Sequence, residues 1–252
     1  MNKAKFLAID AGNSSVKVGV FDGLRDISTK ITQQYDKLDF SSLKSAGAGG
    51  AIIASVVPSK NSLITSELKK INIEKVFWID NRTNLGFKVI YDPQDAIGAD
   101  RLALMSGAYY FYVAINKKPA LAVSCGSAIT VNLIDENGYF KGGAILPGAM
   151  LMANALSNLE LLKQQKLEAF ESDFQYSTSK AINSGISAAI KGAIETFARR
   201  AENATLILAG SYALQIAQAL EMPCVVDIDL ALKGLAMIYL LEEAGFIQIL
   251  CG

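Results

Sequence analysis

The feature that most constrains the fold of this chain is an internal repeat. The segments Ile9–Val16 and Val123–Thr130 begin 114 residues apart, and each combines an apolar run with a glycine turn and small polar side chains. A second apolar run follows each turn. This pattern predicts a strand, a tight turn and a second strand in both places. Such a repeat predicts two related lobes that face each other across a ligand.

The two turns are rich in residues that can bind an anion. The turn residues are Ala11, Gly12, Asn13, Ser14 and Ser15 in the first copy, and Gly126 and Ser127 in the second. Small side chains let backbone N–H groups approach a phosphate, and hydroxyl groups add further donors. Either turn alone is more typical of an ordinary hairpin, but the agreement between the two favours a phosphate site.

Charge and composition exclude several classes of protein. The 24 Lys and Arg residues balance the 24 Asp and Glu residues, so we expect no nucleic acid and no membrane as a partner. The absence of histidine excludes a Ser-His-Asp triad and histidine-bearing zinc sites, whereas phosphoryl transfer remains open. Three cysteines without metal spacing, together with the lack of an apolar leader, predict a cytoplasmic protein.

Strand and helix signals occur in the same order in both halves of the chain. Strands come first and helices follow, which predicts an α/β protein with two ribonuclease-H-like lobes and a nucleotide cleft between them. The predicted lobes comprise residues 1–117 and 118–252. Further predicted elements are a candidate third strand, a buried helix, a long helix and a closing helix: Asp26–Ile31, Gly98–Ile115, Thr178–Arg200 and Leu230–Ala244.

Two charged clusters stand where phosphate chemistry would need them. Asp10 directly precedes the first glycine turn, where a carboxylate can hold Mg²⁺ beside nucleotide phosphates, although it could equally cap its own turn. Lys17 fits either a phosphate contact or a solvent-facing strand position. Asp100 could accept the proton of a substrate hydroxyl while Arg101 binds an anionic group, and the alternative is a helix cap with a salt bridge. Tyr91 either shares that pocket or simply packs.

Seven motifs, taken together and in this order, resemble the type III pantothenate kinases of the acetate and sugar kinase/Hsp70/actin superfamily. The motifs are Asp10-x-Gly12-Asn13-Ser14, Ala54-Ser55-Val56-Val57-Pro58, Tyr91-x-Pro93, Gly98-Ala99-Asp100-Arg101, Gly126-Ser127-Ala128-x-Thr130, Gly142-Gly143-x-Ile145-x-Pro147-Gly148 and Thr178-x-x-Ala181-x-x-Ser184-Gly185-Ile186. The resemblance covers nearly the whole chain. It implies the actin-like ATPase fold and ATP-dependent phosphorylation of pantothenate to 4'-phosphopantothenate, the first step of coenzyme A biosynthesis. It also implies a homodimer that uses Mg²⁺ and a monovalent cation, K⁺ or NH₄⁺.

The resemblance further implies roles for individual residues. The turn from Asp10 to Lys17, including Val16, would hold the ATP phosphates and, through them, Mg²⁺, with Gly126 and Ser127 opposite. Asp100 would be the general base on the pantothenate hydroxyl. The substrate pocket would be lined by Tyr91, Gly98, Ala99, Asp100 and Arg101, and by Thr178 across the dimer interface. The apolar segment Leu151–Leu167 fits either that interface or the core.

The chain departs from the family pattern in its second half. The family has Asp at the position of Ser124, where it ligates the monovalent cation, and at the position of Asn132. The family's usual Thr-Gly-Gly is Ala209-Gly210-Ser211 here. Either the enzyme works without the cation, or the chain is a weakened homologue that acts as a binding or regulatory accessory protein. Because Asp10 and Asp100 are both present, we expect a working enzyme.

Overall fold

Two compact units make up the chain. The structure, a computed structural model, describes residues 5–23, 27–93, 96–157, 159, 162 and 170–251. The first unit combines Met1–Phe111 with Leu230–Gly252, and the second is Tyr112–Asp229. This division differs from the predicted lobes mainly in the last helix, which belongs to the first unit although it comes from the end of the chain.

The first unit is built on a five-stranded sheet. Its strands are β1 (Phe6–Ala11), β2 (Val16–Phe21), β3 (Ile27–Gln33), β4 (Gly50–Ser55) and β5 (Val76–Trp78). They lie in the order β3-β2-β1-β4-β5, with β1 antiparallel to β2 and parallel to β4. β3 confirms the candidate third strand from Ile27 onwards, and Asp26 lies outside the described residues. A further short strand, β6, covers Lys88–Val89.

The second unit repeats this arrangement. Its strands are β7 (Ala120–Cys125), β8 (Ala128–Ile134), β9 (Tyr139–Pro147), β10 (Thr205–Ala209) and β11 (Val225–Val226). They lie in the order β9-β8-β7-β10-β11, and β7 is antiparallel to β8 and parallel to β10. Strand order and direction therefore match the first unit strand for strand, which confirms the predicted two-fold repeat of an α/β unit.

The register of the two hairpins corrects the repeat by one residue. Ala11 pairs with Val16 in the first hairpin, whereas Cys125 pairs with Ile129 in the second. Four residues thus separate the first pair and three separate the second, because the second glycine turn is shorter. The spacing of 114 holds for β1 and β7, but Val16 corresponds to Ile129 rather than to Thr130.

Helices follow the strands in both units. They are α1 (Asn61–Lys70), α2 (Ala99–Ala108), α3 (Ala114–Asn116), α4 (Ala149–Leu156), α5 (Thr178–Arg200), α6 (Ala213–Ala219) and α7 (Leu230–Cys251). The predicted buried helix is confirmed from Arg101 to Ala108, where every residue is buried. A π-helical turn (Tyr109–Val113) links it to α3, and there Ile115 is exposed. Among the described residues, no helix is long and apolar enough to cross a membrane.

Two glycines explain why the last helix joins the first unit. A Cβ placed on Gly234 of α7 would come within 2.6 Å of the Gly107 backbone nitrogen in α2. The two helix backbones therefore touch at a point that no larger residue could occupy. Because this contact joins residues more than a hundred positions apart, sequence order alone does not reveal it.

Candidate active site

The first glycine turn lies between β1 and β2 and is closed by its own backbone. The Gly12 N–H donates to the Ser15 carbonyl oxygen at 3.1 Å, while the side chains of Asn13 and Ser14 are exposed. The second turn is closed in the same way, by the Gly126 N–H and the Ala128 carbonyl oxygen at 3.2 Å. The two turns thus share a backbone design as well as a sequence pattern.

Asp10 lies directly before the first turn, where burial and neighbouring charges act on its carboxylate in opposite directions. Its side chain is only 16% exposed, and its Oδ2 lies 3.9 Å from the Lys17 Nζ, which is its cross-strand neighbour. Burial raises the pKa of Asp10, the Lys17 charge lowers it, and the charge of Asp100 raises it further. Asp10 and Asp100 both belong to the first unit, and the charge of one disfavours the charge of the other.

Three of the sequence motifs converge around Asp100. The Val56 N–H donates to the Ala11 carbonyl oxygen at 3.1 Å, which ties the loop after β4 to the end of β1. A Cβ on Gly98 would lie 2.6 Å from Asp100 Oδ1 and 3.6 Å from Val56 Cγ1. Gly98 is thus small because the Asp100 carboxylate occupies the space beside it. The glycine turn, the Val56 loop and the start of α2 form one constellation.

Asp100 makes a local contact at the start of α2. Its Oδ1 accepts the Arg101 N–H at 2.8 Å, so it does satisfy an amide in the first turn of α2. Burial nevertheless raises the pKa of Asp100, and the hydrogen bond and positive charge of Arg101 only partly offset that rise. A carboxylate whose pKa is raised by desolvation is a stronger proton acceptor than an exposed one.

Arg101 is a buried cation held by Tyr91. The residue is only 4% exposed. Its Nη1 donates to the Tyr91 hydroxyl at 3.0 Å, and its guanidinium carbon lies 5.3 Å from the centroid of the Tyr91 ring. The cation–π contact and the hydrogen bond with Tyr91 together orient the planar guanidinium of Arg101. Tyr91 therefore packs and positions at once, which the sequence had left as alternatives.

The second unit lacks the charge pair of the first. By the corrected register, Ser124 corresponds to Asp10 and Thr130 to Lys17, and these two residues are cross-strand neighbours. A carboxylate–ammonium pair is thus replaced by two hydroxyls. Ser127 holds its turn to the next segment, because its carbonyl oxygen accepts the Gly148 N–H at 2.9 Å.

Asn132 has a structural task of its own. The residue is fully buried, and its Nδ2 donates to the Thr130 Oγ1 at 3.0 Å and to the Ala122 carbonyl oxygen at 3.3 Å. A carboxylate could not donate these bonds. The Asn at this position therefore suits the neutral interior of this particular chain.

Thr178 lies in the second unit, apart in sequence and in unit from Tyr91 and Asp100. It is the first residue of α5, whose N-cap Ser177 accepts the Lys180 N–H through its side chain. Thr178 lines an apolar groove of about 730 Å³ between α4 and α5, together with residues such as Leu151 and Ile182. The segment Leu151–Leu167 contributes to this groove, but much of it lies outside the described residues.

One residue near the turn escaped the sequence analysis. The Tyr35 hydroxyl donates to the Gly12 carbonyl oxygen at 2.7 Å, across 23 residues of chain. No local pattern marks it, because a tyrosine in a polar loop has no periodic signature. Its position depends on the path of the loop after β3.

Few side chains near the first turn could serve as ligands for a metal ion. No group of three or more His, Cys, Asp or Glu residues suited to a metal ion occurs in the part of the chain that the structure describes. Asp10 is nevertheless a hard oxygen donor beside the turn. A single carboxylate fits Mg²⁺, which is commonly bound by one or two carboxylates and substrate phosphates.

Fold and site together define a class of protein. Two repeated α/β units with matching strand order, each with a glycine turn after its first strand, are typical of the actin-like ATPase fold. The model of the family described as "Type III pantothenate kinase" matches residues 6–200. The chain belongs to the type III pantothenate kinase family.

Relatives support this assignment along the whole chain. A type III pantothenate kinase of Dehalococcoides mccartyi is 28% identical, and the match covers 95% of this chain and 99% of the relative. One from Chlorobaculum tepidum is 32% identical over 71% of this chain and 69% of the relative.

Solved structures agree on the fold. A Campylobacter jejuni protein described as a Baf family transcriptional activator superposes with a TM-score of 0.63 at 19% identity, covering 94% of this chain and 99% of that one. The activator of the 2-hydroxyisocaproyl-CoA dehydratase from Clostridium difficile, a structure with bound ADPNP, gives 0.50 at 12% identity, covering 97% of both chains. At these identities the likeness concerns the fold alone.

Proposed function

We propose that this protein transfers the γ-phosphoryl group of ATP to the hydroxyl of pantothenate, the reaction that begins coenzyme A biosynthesis. Family membership supports the reaction. The observation that carries it to named residues is the constellation in the first unit: the Val56 N–H bonds to Ala11 beside Asp10, and Val56 packs against Gly98 next to Asp100. No observation favours the accessory-protein alternative.

In the proposed reaction, Asp100 is the general base. The pantothenate hydroxyl oxygen attacks the γ-phosphorus, the bond from that phosphorus to the ADP oxygen breaks, and the hydroxyl proton passes to Asp100. The raised pKa of Asp100 favours that transfer. The amide held by Oδ1 keeps the carboxylate oriented while the proton arrives. Positioning of the two substrates supplies the rest of the rate, as is general for phosphoryl transfer.

Arg101 is proposed to bind the pantothenate carboxylate. A guanidinium can bind a carboxylate through two parallel hydrogen bonds, and the Tyr91 ring and hydroxyl already orient this one. Gly98 and Ala99 would complete the wall of the pocket, because both lie at the start of the same helix.

ATP is proposed to bind with its phosphates on the turn from Asp10 to Lys17. Bound Mg²⁺ would neutralise phosphate charge there, and Asp10 would hold it through the phosphates. Gly126 and Ser127 stay predicted phosphate contacts from the second unit. For the monovalent cation, the neutral pair Ser124 and Thr130 offers no carboxylate, so we propose catalysis that does not require K⁺ or NH₄⁺.

We also propose a homodimer in the cytoplasm. The apolar groove lined by Thr178 leaves Leu151 half exposed, and such a surface is typical of an interface. Light scattering on the purified protein would show twice the mass of one chain. A monomer at micromolar concentration would contradict the dimer without affecting the proposed chemistry.

Turnover tests the function directly. Purified protein is incubated with ATP, Mg²⁺ and pantothenate, with and without K⁺, and phosphopantothenate and ADP are measured. We expect equal product in both conditions. ADP binding without any phosphopantothenate would contradict the proposed reaction, and product only with K⁺ would contradict the account of Ser124.

A further inference from the structure

We propose that Tyr35 is a positioning residue for the nucleotide: its hydroxyl orients the glycine turn so that the Asn13 N–H faces the phosphates. This inference rests on the proposed function of the turn and deepens it. The hydroxyl donates to the Gly12 carbonyl oxygen at 2.7 Å, the usual distance for a well-formed O–H···O hydrogen bond.

The planarity of the peptide bond transmits this contact to the next amide. In a trans peptide, the carbonyl of one residue and the N–H of the following residue point in opposite directions. Because Tyr35 holds the Gly12 carbonyl on its own side, the Asn13 N–H must point to the other side. Among the described residues, none of the backbone hydrogen bonds in turns and loops uses that N–H, and Asn13 is exposed to solvent.

The phenol is well placed to hold the turn still. Its ring packs against the hydrophobic core of the first unit, and the Lys60 Nζ lies over the ring face, 5.9 Å from the centroid. The loop that carries it is closed by Gln33, whose side chain donates to the Asp39 carbonyl oxygen at 2.9 Å and accepts the Asp39 N–H at 3.0 Å. Ring and loop are therefore both anchored.

The surroundings also link Tyr35 to Asp10. Burial raises the pKa of the Tyr35 phenol, and the Asp10 charge raises it further, so the group stays a donor through the neutral range. Tyr35 thus acts both on the phosphate turn and on the carboxylate predicted to hold the metal, which is more than a packing role.

The test is nucleotide affinity in the variant Tyr35→Phe. Titration calorimetry with Mg·ADP should give a dissociation constant about twofold to tenfold higher than that of the unmodified protein, the effect of one neutral hydrogen bond. In steady-state assays the KM for ATP should rise by a similar factor, while the KM for pantothenate stays the same. Gln33→Ala, which frees the loop, should weaken Mg·ADP binding in the same direction.

A matched control separates positioning from general stability. Tyr239→Phe removes a phenol that is bonded to Glu243 in the same unit, so it should lower the melting temperature without changing the dissociation constant for Mg·ADP. If Tyr35→Phe binds Mg·ADP as tightly as the unmodified protein, the inference is wrong. If the Tyr35 effect on Mg·ADP is present but pantothenate is not phosphorylated, the inference holds and the proposed reaction fails.

Discussion

Replacing Asp100 by Asn is the change that best isolates the proposed chemistry. The amide oxygen of Asn can still accept the Arg101 N–H that Asp100 Oδ1 accepts at 2.8 Å, and the two side chains have nearly the same shape. What is lost is the ability to take a proton. Removal of a general base typically lowers a rate by about 10² to 10⁴. That range corresponds to about 3–5 kcal/mol of transition-state stabilisation.

The same variant should not be less stable. Burial raises the pKa of Asp100, so the stability that the protonated form contributes is complete below the ordinary value of 3.8 and is lost as the pH rises through the raised pKa. A neutral Asn avoids that loss. We therefore expect the melting temperature of Asp100→Asn at pH 7 to equal or exceed that of the unmodified protein, with a smaller decrease as the pH is raised from about 4.

Phosphopantothenate formation and thermal unfolding should be measured on the same samples. Asp80→Asn is a matched control, because Asp80 is an exposed aspartate of the first unit whose Oδ1 accepts the Arg82 N–H, also at 2.8 Å. This control should keep full activity. A kcat within a few-fold of normal for Asp100→Asn would refute the assignment of Asp100 as the base. A folded, inactive variant that no longer binds Mg·ADP would refute the separation of base and phosphate site.

Three further changes test the neighbouring residues. Gly98→Ala places a methyl group 2.6 Å from Asp100 Oδ1 and should lower kcat by at least about tenfold. The control Gly192→Ala meets no atom within 4 Å and should keep the normal kcat. Equal kcat values for the two variants would contradict the close fit between Gly98 and Asp100. Arg101→Lys should raise the KM for pantothenate by about tenfold with little change in the KM for ATP, because a single ammonium replaces a guanidinium that can donate two parallel hydrogen bonds. An unchanged KM for pantothenate would show that Arg101 does not bind this substrate. Ser124→Asp should create stimulation by K⁺, measured as the ratio of rates with and without it, and a ratio of one would contradict the proposed cation site.

The sequence predicted the repeat and the order of most elements, because these depend on local signals, whereas the roles of the site residues stay predictions. Alternating apolar runs and glycine turns identify hairpins wherever they occur, and the two copies of the turn share even their closing hydrogen bond. The shared site of Asp100 and the turn follows from the resemblance to a known family and stays a prediction. The Val56 loop, which bonds to Ala11 and packs against Gly98, gives that prediction a physical basis.

What the sequence did not predict depends on contacts between distant residues. The register of the second hairpin differs by one residue because its turn is shorter, which no count of apolar positions reveals. The last helix joins the first unit because Gly234 and Gly107 let two backbones touch. Tyr35 reaches Gly12 only through a folded loop. Asn132 stands where the family has an aspartate, and only the structure shows that its side chain donates two hydrogen bonds.

The central claim is that Asp100 meets the pantothenate hydroxyl while the phosphates lie on the turn after Asp10. A crystal structure with Mg²⁺, a non-hydrolysable ATP analogue and pantothenate measures this most directly. We predict the hydroxyl oxygen within about 3 Å of an Asp100 carboxylate oxygen and a phosphate oxygen on the Asn13 N–H. A complex in which pantothenate lies against other residues, with Asp100 turned away from its hydroxyl, would contradict the account.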